Sequence, residues 1–398
     1  MSTLSVEQTG TAAPAGAQPA IDPLRVATVD TFADFLALGE PWARLVSACE
    51  QPSVFLTHDW FACWWESFGQ GDRLVVPCVW RGDRLVGAAA LRLNRRRFRG
   101  LPARRLSFLA SGVTGSADLL IDRDEPHARG ALVAALCRSP RSWDMMELER
   151  LDDQSATWQY LTAAGEGRPY RFVVRPDIQT PIIRIDRTWA EFLAGRSASL
   201  RKLIRRRIAG IEKSAEPVRV TRLAGHDEIQ AVLPDLFAVS SRSWKAGRGR
   251  AMTDNPATMD FYRRLIDRLG RQGNVQVWLL TVGGAPAAFE FHLSHGQTVY
   301  PIRADFDERF ARLSPGAHLE HEILRHLFED PGRAVGEYNS CADNYAYERK
   351  WTDIVRSHGL IRMFPRNLYG RLLHTLGQLR RRQEAEGREP AGSVRQAT

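Results

Sequence analysis

The chain has 398 residues, too long for one domain of typical size (about 100–200 residues), so two domains are expected. With 44% hydrophobic and 25% charged residues its composition is that of an ordinary globular protein, and no stretch approaches the roughly 18 uninterrupted apolar residues that a spanning helix needs. The formal charge of +9, carried mostly by arginine in the manner of a GC-rich bacterial genome, favours anionic partners such as phosphate-bearing ligands, nucleic acid or acidic lipid, and does not choose among them.

The first twenty residues lack the basic start and apolar core of a secretory signal and read as a disordered leader over residues 1–22. Five cysteines, Cys49, Cys63, Cys78, Cys137 and Cys341, lie far apart with no CxxC pair, which argues for a reducing, cytoplasmic location rather than a disulfide framework or zinc ribbon. A strand is expected over Leu24 to Asp30 and a helix over Thr31 to Glu50. Aromatic residues at helical spacing (Phe61, Trp64, Trp65, Phe68) mark a further helix with a buried face. Arg73 to Leu93 reads as two strands joined at Arg81-Gly82-Asp83.

The basic run Leu93 to Leu106 is expected to be a solvated loop, with an acidic-surface contact as the alternative. Short strands and a helix then lead to about Val174. Pro176 to Thr180 is the expected boundary between domains over residues 23–176 and 177–365. In the second half, the helix around SASLRKLIRRR carries an apolar stripe (Leu200, Leu203, Ile204, Ile208, Ile211) and a basic face, Arg201 to Arg207, suited to a phosphate or to plain solvation. Residues 274–310 read as a three-strand meander turning at Gly283-Gly284 and His295-Gly296, and Ser314-Pro315-Gly316 opens an amphipathic helix. Unpaired amides at such a helix start suit a phosphate, although Pro315 and Gly316 also serve simply to turn the chain. Residues 366–398 read as a basic amphipathic helix running into a disordered tail, able to make a peripheral membrane or partner contact.

A meander, a Gly-bearing turn that opens a helix, and a further strand is the core order of the GNAT acetyltransferase fold. The chain resembles the CelD-like GNAT family, associated with cellulose biosynthesis and similar in architecture to the Fem-type aminoacyltransferases. The resemblance rests on FLTHDWFACWWESFG, the following hairpin with LVGAAALRL, SASLRKLIRRR, SRSWKAG, DFYRRL, GGAPAAFEFHL and LSPGAHL, which together run from about Phe55 to Trp351. It implies a mixed α/β fold of two tandem GNAT-like domains, an acetyl-CoA or other acyl-CoA co-substrate, no metal, and transfer to an amine or hydroxyl of a small-molecule or saccharide acceptor, often in envelope or exopolysaccharide metabolism. The pyrophosphate loop then corresponds to Arg312, Ser314, Gly316, Ala317 and His318, where Pro315 withholds one amide. Trp244 and Lys245 fall where the resemblance puts the acceptor.

Transfer of this kind needs a group that takes the acceptor's proton and often a tyrosine that protonates the departing thiolate. Glu290, Asp305 and then Glu337 are the candidate bases, and Tyr300 and Tyr338 the candidate acids; each also has a purely structural reading as a salt-bridge or core residue. Of His318, His321 and His326, the first two lie one helical turn apart but have no third ligand at suitable spacing, so they read as helix-surface histidines rather than a metal site. Two other readings stay open: a Fem-like transferase that takes its acyl group from aminoacyl-tRNA, and a non-catalytic GNAT-like scaffold in polysaccharide synthesis.

Overall fold

In the computed structural model, which describes residues 22–386 apart from 111, 139–141, 164–167, 169, 331, 333–334 and 342–347, strand β1 (Leu24–Val29) lies antiparallel to β2 (Arg73–Arg81). The leader over 1–21, the tail end over 387–398 and most of a short helix expected near Asn344 lie outside the described residues. Between β1 and β2 run α1 (Phe32–Leu36), α2 (Gly39–Ala48) and α3 (His58–Phe68). The one helix expected over Thr31 to Glu50 is two, because Pro41 has no amide to continue a helix from α1 and instead fits the first turn of α2. Thr31 and Thr57 cap α1 and α3 by accepting the amides of Asp34 and Trp60.

Strands β3 (Arg84–Ala88) and β4 (Leu91–Phe98) both pair with β2, and β5 (Leu101–Phe108) pairs with β4 from Leu91↔Phe108 to Phe98↔Leu101. The basic run expected as a solvated loop is therefore a β-hairpin. Its turn is Arg99-Gly100, with φ of 53° and 84°, the left-handed pair that matches the twist of a two-residue hairpin. A short β6 (Leu120–Ile121) borders β3, and α4 (His127–Arg138) crosses to β7 (Met145–Asp152), parallel to β5. After α5 (Ala156–Thr162) comes the long β8 (Tyr170–Arg184).

The second half contributes α6 (Trp189–Ala194), α7 (Ala198–Glu212), β9 (Val218–Leu223), α8 (His226–Ser241), α9 (Pro256–Leu265), β10 (Val275–Val282), β11 (Ala285–His295), β12 (Thr298–Phe306), α10 (Pro315–Glu329), β13 (Glu337–Asn339), β14 (Val355–Pro365) and α11 (Leu368–Glu386). Gly283 and Gly284, at φ 58° and 82°, make the β10–β11 turn. One mixed sheet results, in the order β6-β3-β2-β4-β5-β7-β14-β8-β13-β12-β11-β10-β9, with β1 also on β2.

The two halves repeat one plan: a strand, helices, an antiparallel meander, and a helix that crosses to a parallel strand. In the first half that crossing is β5-α4-β7, and in the second β12-α10-β13. Strands β8 and β14 join the halves, since β14 pairs with β7 and β8 pairs with both β14 and β13. The expected boundary, Pro176 to Thr180, lies inside β8 and is paired with β14 rather than a free linker. Helices α3 and α9 meet at the centre of the largest core, with the Trp60 and Phe261 rings 5.2 Å apart and edge-on.

Candidate active site

Parallel pairing of β12 with β13 stops after Thr298↔Glu337 and Val299↔Tyr338. Beyond it the strands part, and Ala304, near the end of β12, is exposed. Its carbonyl takes the Lys245 ammonium at 2.6 Å instead of a strand amide. The sheet thus opens into a wedge beside the start of α10.

At that start Ser314 has φ 51°, a left-handed residue that turns the chain sharply out of the preceding 3₁₀ turn (Glu308–Leu313) and into Pro315. No side chain caps α10 and its first turn carries no acid, so the helix dipole meets no opposing carboxylate there. A side chain at Gly316 would approach Phe306 of β12 at an ordinary 3.6 Å, so the helix start lies directly over the parted strand. Arg312 is exposed and half-buried His318 leaves a buried Nδ1 without a partner; burial holds the His318 pKa below its usual value, so the ring is neutral at pH 7.

Alternation along β11 and β12 sorts the candidate residues onto two faces. Glu290 pairs with Ala304 and His292 with Pro301, on the face covered by α10. There His292 Nε2 lies 2.8 Å from Glu290 Oε2, and the Tyr338 hydroxyl donates to the same oxygen at 3.3 Å, reaching over from β13. All three residues are buried.

Asp305 pairs with Phe289 and faces α8 and α9. Lys245 Nζ stands 2.7 Å from Asp305 Oδ1, and Arg303 lies 2.6 Å from Oδ2 while also donating to Ser240 Oγ. Burial lowers the Lys245 pKa, with Asp305 working against that shift. Lys245 and the guanidinium of Arg248 both lie near the Trp244 ring, which is 41% exposed. Asp307, two residues on, is buried between Arg242 and Arg309; burial raises its pKa, but hydrogen bonds from the two guanidiniums outweigh this and hold it below the ordinary value.

The structure therefore brings Glu290 and Tyr338 together and sets Asp305 with Lys245 and Trp244 on the opposite face. Tyr300 joins neither group: it packs edge-on to Phe55 at 5.1 Å, in the core shared with α3, and burial raises its pKa. Glu337 is held by Arg184 at 3.2 Å and by both terminal nitrogens of Arg356, a structural ion pair. Cys341 is buried, with its thiol directed at the Asn339 carbonyl 3.3 Å away. His292 and Arg303 were missed from sequence; the signal for His292 was its place two residues after Glu290 in an otherwise apolar FEFHL run, which puts two titratable groups on one buried face. Among the described residues, no group of three His, Cys, Asp or Glu side chains is placed to hold a metal ion.

Residues 198–349 match the family model described as an acetyltransferase (GNAT) domain. A search of curated proteins returns no match. Among solved structures, FemX superposes with a TM-score of 0.54 at 12% identity, over 86% of this chain and 98% of that one. The C-terminal domain of a protein assigned as a lysylphosphatidylglycerol synthetase, from Agrobacterium fabrum, gives 0.53 at 11% identity over 87% and 96%. A conserved protein of unknown function from Bacteroides thetaiotaomicron gives 0.51 at 12% identity over 85% and 100%. At these identities the likeness is one of fold. The two halves repeat one backbone plan on one mixed α/β sheet, and the second half holds the matched domain.

Proposed function

We propose that the protein is an acyltransferase that moves an acyl group from acyl-CoA to an amine or hydroxyl, with both substrates meeting at the wedge between β12 and β13. The observation that carries this reading is the uncapped, acid-free start of α10 beside the exposed end of β12. Free amides of Gly316 and Ala317, with Arg312 close in sequence, suit the pyrophosphate, while His318 contributes hydrogen bonding rather than charge. The open edge of β12 suits an extended, amide-bearing arm laid along it like an added strand.

The acceptor enters from the α8–α9 side, where Trp244 offers a flat apolar ring and Lys245 a cation at the wedge. In the transfer, the acceptor nitrogen or oxygen bonds to the thioester carbon and the C–S bond breaks. The thioester supplies the activated acyl group. Glu290 is the base on the α10 face and Asp305 the one on the acceptor face, and Tyr338, hydrogen-bonded to Glu290, is the acid for the departing thiolate. A saccharide or other acceptor from envelope or exopolysaccharide metabolism follows from the family resemblance.

Titration of acetyl-CoA and CoA into the pure protein by calorimetry tests the donor; absence of heat at millimolar ligand sinks the reading. Exposed Arg205 and Arg206 on α7, a helix packed against α10, support a second reading in which the acyl group arrives on aminoacyl-tRNA. Steeply salt-dependent tRNA binding together with no CoA binding would select it.

A further inference from the structure

Away from the wedge, the tip of the β4–β5 hairpin and helix α11 form one surface. The Phe98 ring lies 6.0 Å from that of Phe364 in β14, a side chain at Gly377 would meet it at 3.6 Å, and the Tyr369 hydroxyl donates to the Pro102 carbonyl. The hairpin tip is thereby fixed to the helix rather than left to swing.

On the outward side, Arg96, which shares the Phe98 face of β4 while Arg95 and Arg97 take the other, is exposed, as are Arg366 and Arg371 at the start of α11, and among the described residues none of the three has an ion-pair partner. Neither Leu91 to Phe108 nor Leu368 to Arg382 contains an acidic residue. Leu368 is 88% exposed and Leu372 46%, one helical turn apart on the face of α11 opposite its buried Gly370, Leu373 and Gly377. Two outward leucines set among unpaired arginines, on a helix that lies flat against the protein, is the pattern of an interfacial helix. Nucleic acid fits less well, because the aromatic rings of this surface, Phe98 and Tyr369, are turned inward and offer no stacking platform.

We propose that this surface docks the protein on an anionic phospholipid bilayer, with the arginines over the headgroups and Leu368 and Leu372 in the interface. Co-sedimentation of the full chain with vesicles of phosphatidylcholine, and of equimolar phosphatidylcholine and phosphatidylglycerol, tests it. Binding is expected only to the anionic vesicles and weakens with salt. The triple change Arg96→Glu, Arg366→Glu, Arg371→Glu is expected to weaken binding on the order of a hundred-fold, since each basic residue near such a surface contributes about five-fold. Leu368→Ser with Leu372→Ser is expected to weaken it about ten-fold while leaving salt dependence in place. Both sets alter exposed side chains, and circular dichroism identifies any variant that fails to fold. Equal binding to neutral and anionic vesicles, no binding to either, or binding that survives both sets of changes in folded protein overturns the proposal. So does tRNA binding through the same arginines that outcompetes the anionic vesicles.

Discussion

The two halves cross from a meander to a parallel strand in the same way, yet the two crossings differ where a ligand would sit. In the second half the wedge beyond Val299↔Tyr338 leaves Ala304 exposed, and α10 starts without an acid. In the first half β5 and β7 pair only from Arg105↔Met145 to Ser107↔Glu147, but the chain fills the gap itself: the Ala117 amide donates to the Arg150 carbonyl, and Ala117 and Leu119 are buried. The start of α4 is also occupied. Glu125 lies just ahead of it and is bonded to Arg81 and Arg84, so a carboxylate sits where an anion would approach. The same backbone plan has one end where the helix starts uncapped and without an acid, and one end occupied by its own segment and its own acid. What separates them is the course of one segment through Ala117 and the acid at Glu125, not the order of strands and helices.

The largest effect expected from breaking this asymmetry is on chemistry. Glu290→Gln keeps the shape of the strand and removes a base, so kcat for acyl transfer is expected to fall about 10³-fold with KM for acyl-CoA little changed. Asp305→Asn is the companion measurement, and the larger loss identifies the base; wild-type rates in both variants remove the wedge from the mechanism. Next in size is a transplant of the first half's acid into the second. Ala317→Glu places a carboxylate in the first turn of α10, where it favours the helix by about 0.5 kcal/mol yet repels a pyrophosphate. CoA affinity by calorimetry is expected to drop about a hundred-fold, some 2.7 kcal/mol, with an unchanged or slightly higher Tm.

Much of this plan was legible in sequence because its carriers are local. Gly283-Gly284 announces a hairpin, and Ser314-Pro315-Gly316 announces a helix start, from residue types alone. The β4–β5 hairpin was hidden because arginine normally marks solvent, and only the Arg99-Gly100 turn gave it away. The roles of Tyr300 and Tyr338 were hidden for another reason: each is a tyrosine on a strand, and which face it points to depends on register and on the irregularity between Phe291 and His292. Glu337 and Glu290 differ likewise only in what crosses over to meet them, two arginines from neighbouring strands in one case and a histidine and a tyrosine in the other.

The closed end of the first half makes its own prediction about pH. Asp118 belongs to the segment that fills that gap and accepts the Leu119 amide at 2.6 Å; burial raises its pKa from 3.8 to about 6 against the hydrogen bonds from Thr157, Leu119 and Ser155. A carboxyl with a raised folded pKa adds stability in its protonated form, fully present below about 3.8 and lost as pH rises through about 6. Asp118→Asn removes the charge that is costly above that window. Because the residue retains partial exposure, the gain is at most about 2 kcal/mol at pH 8. The gap between variant and wild type in denaturant midpoint is expected to shrink toward pH 4, and a gap independent of pH means that Asp118 is not the titrating group.

The smallest effect is the most direct check on the comparison itself. Glu125→Gln removes the acid at α4 but leaves the segment that fills the gap between β5 and β7. If the gap is what closes the first half, the variant gains no CoA affinity by calorimetry and loses only the ion pairs to Arg81 and Arg84, about 1 kcal/mol or roughly 2 °C in Tm. If a second CoA site appears, the acid alone was keeping it shut. The two halves then differ by one side chain rather than by the course of the chain through Ala117.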